Sequence, residues 1–306
     1  MALQEHPPLI VIAGPTASGK SAAALALAET IGGEVICADS MQVYRDLAVL
    51  SARPTANDEA RAPHHLYGHV DGSERYSAGR FAREAKRVVE AVRGRGRTPI
   101  LCGGTGLYLK AMTDGLSLIP EVAQAITEAL NAEWLASPDG LRTRLLSVDP
   151  EMERLERADQ QRHIRALAVF DETGRPLSEW QKEPRVRAVE GPVLPLVLCP
   201  DREALYRRCE ARFDAMLARG ALDEARVLAA RGLAPDLPVM KALGVPELLA
   251  HLAGELTLED AAASAKQETR RFAKRQMTWF RNQTDWRAFE DGDALVAHAR
   301  AAMVVP

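Results

Sequence analysis

Near its N-terminus the chain reads Leu9-Ile10-Val11-Ile12-Ala13-Gly14-Pro15-Thr16-Ala17-Ser18-Gly19-Lys20-Ser21. The apolar part has no polar alternation, which predicts a strand covered on both faces, as in a parallel sheet. The second part fits G-x-x-x-x-G-K-[ST], in which backbone N–H groups at a helix N-terminus surround a phosphate, the lysine neutralises charge and the serine can ligate Mg²⁺. A tight strand-to-helix turn without a ligand is the alternative. Residues 14–21 therefore predict polyphosphate binding and leave open which polyphosphate.

Further strand-like runs recur with helical segments between them. Apolar runs at 34–38, 98–102 and 194–199 alternate with helical patterns at 20–30 and 77–95. This rhythm predicts a P-loop NTPase-like α/β fold, in which helices flank a parallel sheet and ligand sites lie at the carboxyl ends of the strands.

The pattern changes between residues 116 and 192. Helical periodicity dominates there, and Pro138-Asp139-Gly140 and Gly174-Arg175-Pro176 mark turns. We therefore expect an inserted all-helical subdomain at 116–192, in a P-loop catalytic core formed by residues 1–115 and 193–306.

The 306 residues are 47% hydrophobic and 26% charged, which is typical of a folded protein and disfavours disordered classes. The longest apolar runs fall far short of the roughly 20 residues of a membrane span. No basic region precedes the first apolar run, which argues against a signal peptide. We expect a cytoplasmic protein with no membrane partner. The net charge of −3 argues against a globally basic nucleic-acid binder.

Cysteines and histidines give no metal signature. The four cysteines lack CxxC spacing, which favours reduced, buried thiols. His64, His65 and His69 lie close together, but adjacent residues point apart in extended chain. We expect these histidines to make structural hydrogen bonds.

Two polar residues follow predicted strands. Asp39 comes just after the second strand, where it could be a helix N-cap, a metal ligand or a general base, and its place beside the phosphate loop favours chemistry. Thr105 lies in Gly103-Gly104-Thr105-Gly106, where glycines let a ligand approach the backbone, although a plain glycine turn is the alternative.

Two segments carry local positive charge. Between residues 266 and 281 there are six basic residues against one acid. On a helix, Phe272, Gln276 and Trp279 share one stripe, and another contains Arg271, Lys274, Thr278 and Arg281. This spacing predicts a packed inner side and an outer side that faces phosphates, with a solvated face as the alternative. Arg162 and Arg165 form a weaker signal at i, i+3 in the insert.

Several blocks together make a specific pattern. They are Gly14–Ser21, Asp39-Ser-Met-Gln-Val-Tyr44, Pro63-His-His-Leu66, Gly103-Gly-Thr-Gly-Leu-Tyr108, Gln161-Arg-His-Ile-Arg-Ala-Leu167 and Ala273-Lys-Arg-Gln-Met-Thr-Trp-Phe-Arg281. Their order resembles that of bacterial tRNA dimethylallyltransferases over nearly the whole chain. The resemblance implies transfer of a dimethylallyl group from dimethylallyl diphosphate to N6 of the adenosine next to the anticodon of a tRNA, with release of diphosphate.

The resemblance also implies roles for individual residues. Asp39 resembles the family's general base; Lys20, Thr105 and Arg212 would stabilise the leaving diphosphate, with Mg²⁺ held at Ser21. The implied tRNA contacts are Asp39, Ser40, Met41, Gln42, Gln161, Arg162, His163, Ile164, Arg165, Lys274, Arg275, Gln276, Met277, Thr278, Trp279, Phe280 and Arg281. The helical insert would contact the anticodon stem-loop, and a monomer is the family expectation.

The sequence departs from the family pattern at two places. Ser51-Ala-Arg-Pro54 stands where Thr-Ala-Lys-Pro is usual, and Gly244-Val-Pro-Glu247 replaces a Gly-Tyr-Arg pattern that would contact tRNA. Two other enzymes could use the same loop: a small-molecule or nucleoside kinase, and an adenylate isopentenyltransferase acting on a free nucleotide. A non-enzymatic, nucleotide-gated RNA-binding protein is a third alternative. The loop also suits a nucleotide such as ATP, although the implied transfer needs only the prenyl diphosphate.

Overall fold

A computed structural model describes residues 7–304. Residues 1–6, on which the expectation about a signal peptide partly rests, lie outside the described residues. The chain divides into two compact units, the first made of residues up to 113 and from 188 onward, and the second of residues 114–187.

The first unit is built on one sheet of six parallel strands within the described chain, in the order β3-β2-β4-β1-β5-β6. The strands are β1 (Leu9–Ala13), β2 (Glu34–Cys37), β3 (His64–His65), β4 (Pro99–Gly103), β5 (Val193–Leu198) and β6 (Arg287–Phe289). Every residue of β1, β2 and β4 is buried, as the uninterrupted apolar runs predict. The predicted parallel α/β fold is confirmed.

Helices cover both faces of the sheet. Those of the first unit are α1 (Lys20–Ile31), α2 (Ala56–Arg61), α3 (Ala78–Gly94), α4 (Gly106–Thr113), α9 (Arg202–Ala218), α10 (Ala221–Ala230), α11 (Val245–Leu252), α12 (Leu258–Gln283) and α13 (Gly292–Val304). On one face Phe81 of α3 stacks on Tyr108 of α4, with ring centroids 4.2 Å apart. On the other face α1 packs against α13, where Leu295 and Ala299 are fully buried.

The second unit contains α5 (Gln124–Ala136), α6 (Pro138–Val148), α7 (Gln160–Thr173) and α8 (Leu177–Lys182). Its own apolar core includes Leu130, Leu141, Leu145 and Leu167. A backbone bridge joins Leu116 to Val186, near the two ends of the unit. Residues 188–192 belong to the first unit, because they lead into β5 and place Val189 in its core. The unit therefore spans 114–187, where the sequence suggested 116–192.

The buried carboxylate of Glu34, at the start of β2, pairs with partly exposed basic side chains. Its carboxylate accepts hydrogen bonds from His65 and from Arg95, both at 2.6 Å. Burial alone would raise the pKa of Glu34, but the bonds from Arg95 and His65 outweigh it and lower that pKa. His64 and His69 likewise bond to protein groups, namely the Ala62 carbonyl and Glu84.

Residues 7–304 contain no candidate transmembrane helix and no group of side chains typical of a protein metal site. None of the helices there is both long and apolar enough to cross a bilayer. Within the same residues no three His, Cys, Asp or Glu side chains are grouped so as to hold a metal. The four cysteines form no disulfide, and Cys37, Cys102 and Cys209 are buried.

Candidate active site

The loop between β1 and α1 passes very close to the end of β5. A Cβ atom at Gly14 would overlap the Leu198 carbonyl and lie 2.8 Å from Ser18 Oγ, so only glycine fits without a shift. The Lys20 ammonium donates to the Pro15 carbonyl at 3.1 Å. Ser18 Oγ is buried and has no hydrogen-bond partner among the described residues.

Cationic side chains surround this loop. Burial lowers the pKa of Lys20, while the nearby Asp39 carboxylate works in the opposite direction. Burial likewise lowers the pKa of Arg212 on α9, again opposed by Asp39. A desolvated cation gains most when an anion binds to it. The site is therefore electrostatically prepared for a phosphorylated ligand.

A pocket of about 320 Å³ lies over the loop. Its lining residues are Thr16, Ala17, Gly19, Lys20, Ser21, Asp39, Gln42, Ser51, Ala52, Arg208 and Arg212. Residues separated by nearly two hundred positions in sequence therefore meet in one cavity. The phosphate loop, Asp39, Gln42 and Arg212 come together there, in agreement with their sequence-derived grouping.

Asp39 is held by the backbone that follows it. Its Oδ1 accepts hydrogen bonds from the amides of Met41 at 2.9 Å and Gln42 at 3.4 Å. These bonds fix the carboxylate by one oxygen, and the second oxygen stays available to a ligand. Asp39 is half-buried.

Thr105, which is expected to stabilise the diphosphate, hydrogen-bonds to the residue that follows Asp39. Its hydroxyl accepts from the Ser40 amide at 2.9 Å and donates to Ser40 Oγ at 3.3 Å. Thr105 does not line the pocket. It connects the loop after β4 to the segment that carries Asp39.

Sequence reasoning missed three pocket residues. Arg208 lies one helical turn before Arg212 on α9, and it donates to the Ser18 carbonyl at 3.3 Å. The i, i+4 spacing of these arginines was a signal that could have found it. Ser51 and Ala52 reach the pocket because Gln42 Nε2 donates to both of their carbonyls, each at 2.9 Å. Nothing in local sequence indicates that contact.

The basic segment forms the last part of α12. Lys274, Arg275, Thr278 and Arg281 are exposed, as expected for an outer face. Three other cations of the segment are paired with acids: Lys266 with Asp214, Arg270 with Glu210 and Arg271 with Glu268. The unpaired positive surface is thus smaller than the sequence count suggests.

The inner face of α12 differs from the predicted stripe. Gln276 and Phe280 are buried, together with Ala273, whereas Trp279, Met277 and Phe272 are only partly buried. The hydrogen bonds of Gln276 go to protein backbone. A direct contact of Gln276 or Phe280 with RNA is therefore not available in this structure.

The segment of the second unit that is expected to contact RNA, residues 161–165, lies at the start of α7. Gln161, Arg162 and Arg165 are exposed, whereas His163 and Ile164 are buried. His163 Nδ1 donates to the Asp159 carbonyl at 2.7 Å and its Nε2 accepts from Arg142 at 2.8 Å. His163 and Ile164 thus serve the core of this unit, and only the exposed three can meet RNA.

Fold and site together define a P-loop α/β protein with a cationic phosphate pocket and a carboxylate beside it. A family model described as IPP transferase matches residues 42–283, and one described as isopentenyl transferase matches residues 7–69. A tRNA dimethylallyltransferase of a Bradyrhizobium species is 52% identical over 94% of this chain and 96% of its own length. One from a Caulobacter species is 50% identical over 92% of each chain.

Solved structures of related enzymes are also similar to this chain. The full-length tRNA isopentenylpyrophosphate transferase of Bacillus halodurans superposes with a TM-score of 0.69 at 33% identity, covering 97% of this chain and 95% of that one. A eukaryotic dimethylallyltransferase acting on tRNA gives a TM-score of 0.76 at 32% identity, covering 90% and 70%. The chain belongs to the tRNA dimethylallyltransferase (IPP transferase) family, whose members use a diphosphate substrate.

Proposed function

We propose that this chain transfers a dimethylallyl group from dimethylallyl diphosphate to N6 of the adenosine next to the anticodon of a tRNA, and releases diphosphate. The observation that carries this proposal is the meeting of Asp39 with Lys20 and Arg212 in one pocket over the phosphate loop. A carboxylate beside a buried lysine and a half-buried arginine suits a reaction in which a proton leaves on one side and an anionic group leaves on the other.

The cationic side of the pocket binds the diphosphate. As the bond between the allylic carbon and oxygen breaks, negative charge grows on the departing oxygen. Lys20, Arg208 and Arg212 are already in place around that charge, so they stabilise the transition state more than the ground state. The first amides of α1, which have no intrahelical acceptors, add hydrogen bonds to the phosphate oxygens.

The residues present also fit a divalent metal. Ser21 lines the pocket at the start of α1. Mg²⁺ prefers oxygen ligands, and both the Ser21 hydroxyl and the phosphate oxygens of the substrate are of that kind. We assign Mg²⁺ to Ser21 and the diphosphate. When bound, Mg²⁺ neutralises charge on the leaving group.

Asp39 acts on the nucleophile. The adenine amine is a poor nucleophile because its lone pair is delocalised into the ring, so its proton must leave as the C–N bond forms. The carboxylate oxygen of Asp39 that the Met41 and Gln42 amides do not bind accepts that proton. Thr105 supports this step indirectly, since it holds Ser40 and thereby the segment 39–42.

The RNA is bound by exposed cations outside the pocket. Lys274, Arg275 and Arg281 on α12 contact phosphates, and Gln161, Arg162 and Arg165 of the second unit contact the anticodon stem-loop. The target base leaves its stack to enter the pocket, as base-modifying enzymes require. We place this activity in the cytoplasm, on a monomeric protein.

Product identification tests the proposal. The protein is incubated with Mg²⁺, labelled dimethylallyl diphosphate and either unmodified tRNA or AMP, and the labelled nucleoside is identified after digestion. Label on the tRNA adenosine next to the anticodon supports the proposal. Label on AMP alone indicates an adenylate isopentenyltransferase. No transfer to either, together with γ-phosphate transfer from ATP to a small molecule, indicates a kinase and refutes the proposal.

A further inference from the structure

One buried side-chain amide joins the phosphate loop to the loop after β4. Gln276 Oε1 accepts from the Thr16 amide of the phosphate loop at 2.8 Å, and its Nε2 donates to the Gly104 carbonyl after β4 at 2.9 Å. The first partner can only donate and the second can only accept, so the orientation of the amide is fixed. Gln276 is 7% exposed.

The loops leave no room for another arrangement. A Cβ atom at Gly104 would lie 2.9 Å from the Gly14 carbonyl oxygen and would overlap Gln276 Nε2. The phosphate loop, the loop after β4 and α12 therefore come together at Gln276. One helical turn away, the indole of Trp279 packs directly on Gly106, the first residue of α4.

The position of Gln276 on α12 separates it from the RNA-facing residues. Lys274 and Thr278, two residues to either side, are exposed, whereas Gln276 points inward with Ala273 and Phe280. Loss of Gln276 would leave the Thr16 amide and the Gly104 carbonyl buried without partners. A buried backbone group without a hydrogen-bond partner is unfavourable, so the backbone shifts until the group finds another partner. A shift at Thr16 displaces the loop that binds phosphate.

We propose that Gln276 is a positioning residue for diphosphate binding: it sets the conformation of the phosphate loop through Thr16 and locks that loop to the β4 end through Gly104. It takes no part in binding RNA. This inference rests on the proposed function for the identity of the ligand, and its test measures binding directly so that it stands apart from transfer activity.

The test uses the full chain and inorganic diphosphate with Mg²⁺. Titration calorimetry gives the dissociation constant for diphosphate, and filter binding gives that for tRNA, in the parent and in Gln276→Leu. We expect Gln276→Leu to weaken diphosphate binding roughly tenfold to a hundredfold, the range for one or two lost buried hydrogen bonds, and to change tRNA affinity less than about twofold. In the transfer assay the loss should appear in the KM for dimethylallyl diphosphate and in kcat, with the KM for tRNA retained.

Lys274→Ala is the matched control on the opposite face of the same helix. It should weaken tRNA binding and leave diphosphate binding unchanged.

A Gln276→Leu protein that loses tRNA affinity and keeps diphosphate affinity would overturn the proposal. If Gln276→Leu does not fold, Gly104→Ala is measured in its place: the added methyl group displaces the Gln276 amide and also presses on the Gly14 carbonyl of the phosphate loop. Diphosphate affinity within twofold of the parent in folded Gly104→Ala would equally overturn the proposal. Absence of transfer by the parent would sink the proposed function alone, because the diphosphate titrations remain interpretable.

Discussion

Replacement of Asp39 by asparagine separates chemistry from binding. Asparagine keeps an oxygen where the Met41 and Gln42 amides donate, at 2.9 and 3.4 Å, and it replaces the second carboxylate oxygen by an NH₂ group that cannot accept a proton. The side chain is half-buried and both backbone bonds persist, so we expect the melting temperature to stay close to that of the parent. Diphosphate affinity should be maintained or rise, because a negative charge beside the bound anion is removed.

The rate of transfer should fall far more than any binding constant. Loss of a general base costs about 10² to 10⁴ in rate, or roughly 3 to 5 kcal/mol of transition-state stabilisation. Single-turnover transfer of labelled dimethylallyl to tRNA, with both substrates saturating, isolates that step. Asp293→Asn, an exposed change on α13, is the matched control and should be neutral. A rate for Asp39→Asn within threefold of the parent would refute the assignment of Asp39 as the base.

Four further substitutions probe the RNA face, the phosphate loop and the fold. Lys274→Ala and Arg162→Ala should each weaken tRNA binding and reduce the slope of log K against log salt by about one, measured by filter binding at several salt concentrations; slopes equal to the parent's would exclude phosphate contacts. Gly14→Ala should weaken diphosphate binding about tenfold or more by calorimetry, because its methyl group overlaps the Leu198 carbonyl and the loop must shift. Glu34→Gln should lower the free energy of unfolding by about 1–3 kcal/mol at neutral pH. The lowered pKa of Glu34 means that this contribution is present above the unfolded value near pH 4.5 and is lost as pH falls through the folded value, so urea denaturation from about pH 3 to 7 should show a flatter acid limb in the variant.

The sequence predicts the central strands of the sheet well because β1, β2 and β4 are buried along their whole length. The first strand, Leu9–Ala13, falls where its apolar run lies, and α1 begins at the predicted Lys20. The edge strands escape prediction for a physical reason. β3 has only two residues, both partly exposed histidines, and β6 has three residues that are exposed or partly buried, so neither carries a periodic apolar signal.

The site was predictable only where a motif is continuous in sequence. Residues 14–21 and Asp39 could be found because a strand end and a phosphate motif define them locally. Ser51 reaches the same pocket through a tertiary contact that no local pattern marks, whereas Arg208 was marked only by its i, i+4 spacing from Arg212. The predicted inner stripe of α12 is right for Gln276, which is buried. It is wrong for Phe272 and Trp279, which are only partly buried, while Ala273 and Phe280 are buried.

The phosphate loop by itself is common to proteins with unrelated chemistry, so the specificity of this site must come from what is assembled around it. Two elements do this. Helix α9 brings Arg208 and Arg212 over the loop from one side, and α12 reaches the loop through Gln276 from another. These helices are also joined to each other by ion pairs, Arg270 with Glu210 and Lys266 with Asp214. Two of the six basic residues of the segment thus hold α12 against α9, Arg271 pairs with Glu268 within α12, and the other three are exposed. One helix therefore positions the phosphate site from its inner face and presents positive charge from its outer face, which explains how a chain of net negative charge can serve an anionic leaving group and a nucleic acid at once.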